Sequence, residues 1–279
     1  MKGTGLKSIH QAYMDFFGLK KRPFAITPDP EFYFESLSHK KALVHMEYAV
    51  TEKMGFAMVT GEVGTGKTLT ARIFMEKMRP KINSALILHP ILTERELLYS
   101  IVQDLGLRMD KKRPTKKELL DKISSFILSS AENGKRTVII IDEAQDLKPN
   151  ILESLRLISN LETGKEKLLD IILLGQPELE KKLSRYTLRQ LNQRILVRTR
   201  LNPLQEEEIE AYLDMRIQKS GGEKFYDSSI IPLVYRYSKG IPRLINAVME
   251  RALIAAFVDD SKILKKRHLK LAHASLLGE

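Results

Sequence analysis

The sequence predicts an α/β fold, with a five-stranded parallel sheet covered by helices, followed by a small all-helical domain. Three observations predict it. Five short runs, Phe56–Thr60, Ala85–Leu88, Thr137–Ile141, Asp170–Leu174 and Ile195–Thr199, are β-rich and mostly continuous in apolar character, as strands buried on both faces are. Helical patterns fill the gaps between them, and that alternation implies an open sheet with right-handed crossovers. After Leu201 no convincing strand follows.

Each element has its own signal. Phe56–Thr60 leads into a Gly-rich loop and then a helix over Leu69–Met78. Thr93-x-x-Glu96 is a capping box ahead of Leu97, Leu98, Ile101, Val102 and Leu105, which recur at helical spacing. Thr115-x-x-Glu118 repeats the signal ahead of Leu119, Leu120, Ile123, Phe126 and Ile127. Pro149 opens a third helix with Ile151, Leu152, Leu155 and Ile158 on one face. The last strand carries Arg198 and precedes Arg200, which suits an edge. Behind a boundary near Asn202-Pro203, helices are expected over Gln205–Lys219, Ser228–Tyr237, Pro242–Val258 and Lys266–Leu276, punctuated by Gly221-Gly222 and Gly240. The expected division is an N-terminal segment 1–35, an α/β core 36–203 and a helical domain 204–279.

Composition narrows the function. The chain has 279 residues, 43% hydrophobic and 29% charged, a globular balance. Its longest apolar runs, such as Ala252–Val258, fall far short of the roughly 18 residues of a membrane span, and the N-terminus lacks a signal-peptide apolar core. The absence of cysteine removes disulfides, thiolate zinc sites and cysteine nucleophiles, and fits a reducing compartment. Six scattered histidines without an HxxxH pair argue against a histidine metal site. The net charge of +11 suggests a polyanionic partner such as nucleic acid, nucleotide phosphate or an anionic membrane face; a merely Lys-rich surface remains the alternative. The charge is uneven: Lys181–Arg200 holds seven Lys/Arg and no Asp/Glu.

The strongest chemical signal is Gly61-Glu62-Val63-Gly64-Thr65-Gly66-Lys67-Thr68. It matches the Walker A loop, G-x-x-x-x-G-K-[ST]. Glycines let consecutive N–H groups turn inward toward phosphate oxygens, and the helix that follows at Leu69 offers its N-terminal donors to the same anion. Lys67 would place a point charge on the β/γ-phosphates, and Thr68 a hydroxyl on Mg²⁺. Val138–Ile141 then ends in Asp142-Glu143, the Walker B pattern. Asp142 would hold Mg²⁺ through water. Glu143 would polarise the attacking water, so hydrolysis is expected rather than binding alone. The lack of an Asn/Thr-Lys-x-Asp motif favours ATP over GTP.

Other residues could complete the site. Gln176 ends the fourth strand and either orients the water or is a turn residue. In Gly240-Ile241-Pro242-Arg243, Gly240 would end one helix and Pro242 start the next. Arg243 then sits in a first helical turn, where its own helix dipole disfavours it. It gains more from an external anion, and a γ-phosphate is favoured over a surface ion pair. Arg194, preferred to Arg189, is the candidate finger that one subunit inserts into its neighbour in a ring or filament; the alternative is a basic helix face contacting DNA.

These motifs together resemble an AAA+ ATPase, and more narrowly the general secretion pathway protein A (ExeA/MshM-like) family. The resemblance is carried by Phe16–Leu19, Thr27-Pro-Asp-Pro30, the Walker A loop, Ile141-Asp-Glu-Ala-Gln145, Ser159-Asn-Leu-Glu-Thr163, Gly175-Gln-Pro-Glu-Leu179, Leu188-Arg-Gln-Leu-x-Gln-Arg194 and Gly240-Ile-Pro-Arg-Leu-Ile-Asn246. It implies a sheet order of 5-1-4-3-2, ATP between core and lid, and an N-terminal segment near the adenine. It implies Arg243 as the lid arginine, Gln176 as sensor 1 and Arg194 as arginine finger. Two departures stand out. Longer relatives add a membrane span and a peptidoglycan-binding domain, so this chain is expected to be a short form, cytoplasmic or peripheral at the inner membrane, or a piece of a longer protein. His89 stands after the second strand where Asn is expected.

The resulting expectation is a Mg²⁺-dependent ATPase that forms a homo-oligomer and drives assembly of a bacterial envelope machine for secretion, pili or exopolysaccharide export. The alternatives are a DNA-associated ATPase of the transposition-regulator type and a nucleotide-gated scaffold with little turnover.

Overall fold

Residues 9–88, 93–109, 113–159, 162–163 and 166–277 are described by the computed structural model. Two units emerge, residues 37–201 and a second unit built from 1–36 together with 202–279.

The first unit holds five parallel strands: β1 (Phe56–Gly61), β2 (Ile82–Ile87), β3 (Arg136–Ile141), β4 (Leu169–Gly175) and β5 (Val197–Leu201). Their order is β2-β3-β4-β1-β5, the expected 5-1-4-3-2. Burial follows position. β1 and β4 are buried at every residue, whereas β5 alternates buried and exposed, as an edge strand with Arg198 and Arg200 on its open side should. The helices are α2 (Leu37–Thr51), α3 (Lys67–Met78), α4 (Glu94–Asp104), α5 (Lys116–Glu132), α6 (Pro149–Ile158), α7 (Glu178–Leu183) and α8 (Arg189–Arg194); α1 (Ile9–Phe17) belongs to the other unit. Both expected capping boxes form: Thr93 and Thr115 accept from the backbone N–H of Glu96 and Glu118, and each Glu carboxylate accepts from the cap N–H in return. One face of the sheet, with Phe56, Met58, Ile139, Ile141, Ile171 and Leu173, packs on the apolar sides of α4 to α8.

Two strands and one helix differ in extent from expectation. β2 begins at Ile82 rather than Ala85, because Ile82 is buried beside β3. α3 starts at Lys67, two residues early, since the loop turns directly into it. β5 runs over Val197–Leu201 rather than Ile195–Thr199, because Ile195 is the C-cap of α8. A short antiparallel strand pair, Glu162–Thr163 with Glu166–Lys167, was not foreseen.

At the N-terminal edge of the sheet, Asp170 of β4 is almost fully buried. Its Oδ1 accepts from Gly55 N at 3.0 Å, and its Oδ2 from Arg136 Nε at 2.8 Å. One carboxylate thus grips the starts of both flanking strands, β1 and β3.

The second unit contains α1, α9 (Glu206–Lys219), α10 (Ile231–Ser238), α11 (Pro242–Val258) and α12 (Lys266–Leu277). The expected helix over 228–237 is a 3-10 turn, Ser228–Ile230, followed by α10. The N-terminal segment is built into this unit: Tyr13, Leu19 and Phe24 share a core with Leu213, Ile217, Ile245, Met249 and Leu253. Polar ties fasten it. Arg216, 6% exposed, donates from Nε to Pro23 O at 2.5 Å and lies 4.8 Å from the Phe32 ring centroid. Glu250 Oε1 accepts from Tyr13 Oη at 2.8 Å and from Arg22 Nε at 2.9 Å. Burial, with the Glu250 charge second, pushes the Tyr13 phenol up, so it stays a donor. Gly240 (φ +73°) follows α10, and a Cβ there would lie 2.0 Å from Leu204 O.

Two stability predictions follow from these contacts. Asp170→Ala should cost about 2–4 kcal/mol in urea unfolding, since it leaves the half-buried Arg136 with only Lys167 O as a partner and the Gly55 N–H with none from residue 170; a loss under about 1 kcal/mol would mean that the carboxylate does not tie the strands. Gly240→Ala should cost about 2–4 kcal/mol, because φ is left-handed and the Leu204 backbone must move; a melting temperature equal to wild type would contradict this.

Candidate functional site

The candidate site lies at the C-terminal edge of the sheet, beyond β1, β3 and β4. Register brings it together: Thr60 pairs with Gly175, and Ile141 with Leu173. The residues following these strands, Glu62, Asp142 and Gln176, therefore emerge side by side. In open parallel sheets this edge, where strand order reverses, is where ligands bind.

β1 ends at Gly61, and Glu62, Val63, Gly64, Thr65 and Gly66 form the loop before α3, whose first turn holds Lys67, Thr68 and Leu69. Gly66 caps α3 in the left-handed region at φ 101°, a conformation that glycine adopts without penalty. Thr65 is buried, and its Oγ1 donates to Glu62 O at 2.8 Å. His39 of α2, also buried, donates from Nε2 to Thr65 O at 3.1 Å. Sequence reasoning missed His39, which lies 26 residues before its partner and belongs to no contiguous motif.

Lys67 is 5% exposed and donates from Nζ to Gly61 O at 2.9 Å and Glu62 O at 3.2 Å. Burial pulls its pKa down, opposed by Glu143, Asp142 and Glu62. The Thr68 hydroxyl donates to Asp142 Oδ2, and Asp142 is 3% exposed. Burial pushes the Asp142 carboxyl up, against the Thr68 bond and the Glu143 N–H, which donates to its Oδ1 at 2.9 Å. A buried carboxylate in contact with one hydroxyl is a hard-oxygen pair of the kind Mg²⁺ uses when phosphates and waters supply its other ligands. Among the described residues no group of three or more His, Asp or Glu forms a metal cage.

Glu143 adopts φ 49°, ψ 40°, a left-handed conformation that costs a non-glycine residue about 1–3 kcal/mol. Its Oε2 accepts from Gln145 Nε2 at 2.8 Å and from Gln176 Nε2 at 3.3 Å. Gln176, one of the candidates, thus reaches Glu143; Gln145 was not singled out for this role, and its place in Asp142-Glu-Ala-Gln145 was the available signal. Arg194 directs Nη1 to Arg156 O at 3.4 Å and Ser159 Oγ at 3.3 Å, at the C-terminal end of α6. Arg189 is exposed on α8, and Arg243 is exposed in the first turn of α11, in the second unit. His89 lies outside the described residues.

Residues 50–183 match a family described as AAA domain. General secretion pathway protein A of Aeromonas hydrophila is 42% identical over 267 residues, covering 95% of this chain and 49% of that protein. This chain therefore spans about half the length of that relative. Among solved structures, the Aeropyrum pernix ORC2 protein in its ADPNP-ADP complexes superposes with a TM-score of 0.70 at 16% identity, covering 91% of this chain and 71% of the other. The Thermotoga maritima RuvB Holliday junction branch migration motor gives 0.56 at 16% identity, covering 88% and 73%. With a matched AAA domain, a sheet ordered 5-1-4-3-2 and 42% identity along nearly its whole length, the chain belongs to the AAA+ ATPases, within which it is similar to general secretion pathway protein A.

Proposed function

We propose that this chain binds ATP with Mg²⁺, hydrolyses it, and couples the cycle to assembly of a bacterial envelope machine. One observation carries the enzymatic part: Lys67, the Thr68–Asp142 contact and Glu143 stand together at one sheet edge. Lys67 would exchange its bonds to Gly61 O and Glu62 O for phosphate oxygens. The amides of 63–68 would cradle the phosphates, as at other Gly-rich loops that open a helix. Thr68 and Asp142 would hold Mg²⁺, which when bound neutralises charge on the phosphates. Glu143 would take the proton of the attacking water. Arg243, exposed and disfavoured by its own helix dipole, is proposed as a ligand for the terminal phosphate. Arg194 is the proposed arginine finger of a ring or filament; it would have to release its bonds to α6. The N-terminal segment keeps its proposed place near the adenine. The envelope role rests on the similarity to general secretion pathway protein A.

A DNA-associated role draws on the basic stretch 181–200. Lys182 and Arg198 of that stretch bond within the chain, and Arg200 lies 3.8 Å from Glu62. Lys181, Arg185 and Arg189 remain exposed, and a nucleic-acid contact would rest mainly on these.

Steady-state hydrolysis tests the proposal. Mg²⁺-dependent phosphate release should occur in wild type and vanish in Lys67→Ala. Glu143→Gln should still bind a fluorescent ATP analogue while losing at least about 100-fold in kcat. No turnover in wild type at any protein concentration would favour a nucleotide-gated scaffold. Stimulation by duplex DNA that fades steeply with salt would move the DNA role ahead of the envelope role.

A further inference from the structure

One side chain at this edge has both ends of its amide engaged. Gln145 Nε2 donates to Glu143 Oε2 at 2.8 Å, and Gln145 Oε1 accepts from the backbone N–H of Gln176 at 3.1 Å. It spans the end of β3 and the end of β4, and Gln176 Nε2 closes the triangle onto the same Glu143 oxygen at 3.3 Å. The carboxamide cannot drift far. Its residue sits in the 3-10 turn Ala144–Asp146, which Lys182 of α7 clamps by donating to Gln145 O at 2.5 Å and Leu147 O at 2.6 Å. Across the gap, residue 175 is glycine, and a Cβ there would lie 3.0 Å from Gln145 Oε1. The amide therefore occupies space that any other residue at 175 would contest.

The consequence falls on Glu143. Two amide donors converge on Oε2, while Oε1 takes no hydrogen bond from the described residues. A carboxylate with one oxygen pinned has its other oxygen fixed in direction, and fixed direction is what a general base requires. We infer that Gln145 is a positioning residue that aims the Glu143 carboxylate at the attacking water. The inference rests on the hydrolytic reading above. In that step the water oxygen bonds to the terminal phosphorus, the bond to the bridging oxygen breaks with its electron pair leaving on ADP, and the water proton passes to Glu143.

Gln145→Glu separates positioning from mere support. It has the same size and still accepts from Gln176 N–H, but it replaces the donor facing Glu143 with a second carboxylate. Gln145→Leu removes both bonds. A supporting role predicts near-wild-type turnover in Gln145→Glu and loss only in Gln145→Leu. Positioning predicts that both lose about 10–100-fold in kcat, the size of a lost charge-assisted hydrogen bond, with KM for ATP and affinity for a fluorescent ATP analogue within about twofold of wild type. A second readout needs no nucleotide. The like charges in Gln145→Glu should lower the melting temperature of the full chain, and adding Glu143→Gln should restore it. Turnover in Gln145→Glu within threefold of wild type, or a melting temperature indifferent to Glu143→Gln, overturns the inference and leaves the hydrolytic reading intact. Absence of Lys67-dependent turnover in wild type sinks both.

Discussion

The chemistry at one edge of the sheet depends on a carboxylate at the other. Asp170 bonds Gly55, which precedes β1, and Arg136, which opens β3, while its own strand lies between them. Strand pairing alone leaves register open to slippage, and a slip of one residue turns every side chain to the opposite face. Three apolar strands such as FAMVTG, RTVIII and LDIILLG offer little internal discrimination among registers. A buried charge that finds its partners in one register alone supplies it. With Val138 opposite Asp170, Ile141 falls opposite Leu173, and with Phe56 opposite Ile171, Thr60 falls opposite Gly175. Asp142, Glu62 and Gln176 then leave the sheet together.

The site so assembled is costly for the protein to hold. Lys67 and Asp142 are nearly inaccessible to water, and burial opposes the charge on each. What offsets that cost is hydrogen bonding within the loop and between loop and strand: two carbonyls for the ammonium, one hydroxyl and one N–H for the carboxylate. Each of these bonds is made to a group that a phosphate or a metal ion could also engage. Charges that are merely balanced, and not neutralised by direct pairing, are poised to exchange partners. The left-handed Glu143 belongs to the same pattern, since conformational strain persists only where the surroundings over-determine it, here Lys182 behind the turn and two glutamine amides in front.

How much of this could be read from the sequence depended on whether the signal was contiguous. The phosphate loop and Asp142-Glu143 were legible because the chemistry demands fixed residues at fixed spacing beside a strand. The sheet order came through the resemblance, and the edge position of β5 through its arginines. Gln176 could be suspected because it ends a strand. His39, Gln145 in its bridging role and Asp170 were not legible, because each acts on residues that only the fold brings near, 26, 31 and 115 positions away. An Asp at the start of an apolar strand looks like a solvated end until Arg136 and Gly55 are seen around it. The N-terminal segment was likewise opaque: Tyr13 and Arg22 meet Glu250 more than two hundred residues on, and no local pattern announces such a meeting.

The basic stretch shows the converse, a strong sequence signal that the fold partly spends on itself. Seven cations without an acid between 181 and 200 read as a surface for a polyanion. Lys182, however, is half-buried, its pKa pulled down by burial and by Arg185, and its ammonium satisfies two carbonyls of the turn behind Glu143. Arg194 reaches the carbonyl end of α6, where a helix dipole welcomes a cation. Arg198 returns to Asn192 and Ile195, bracing the turn from α8 into β5. Cations that complete carbonyl ends are structural groups, and formal charge counts them as if they faced solvent. These bonds leave the net charge intact, but that charge overstates how many cations have donors to offer a phosphate in direct contact. A residue such as Arg194 that is to act on a neighbour's phosphate must first be worth more there than at the end of its own helix.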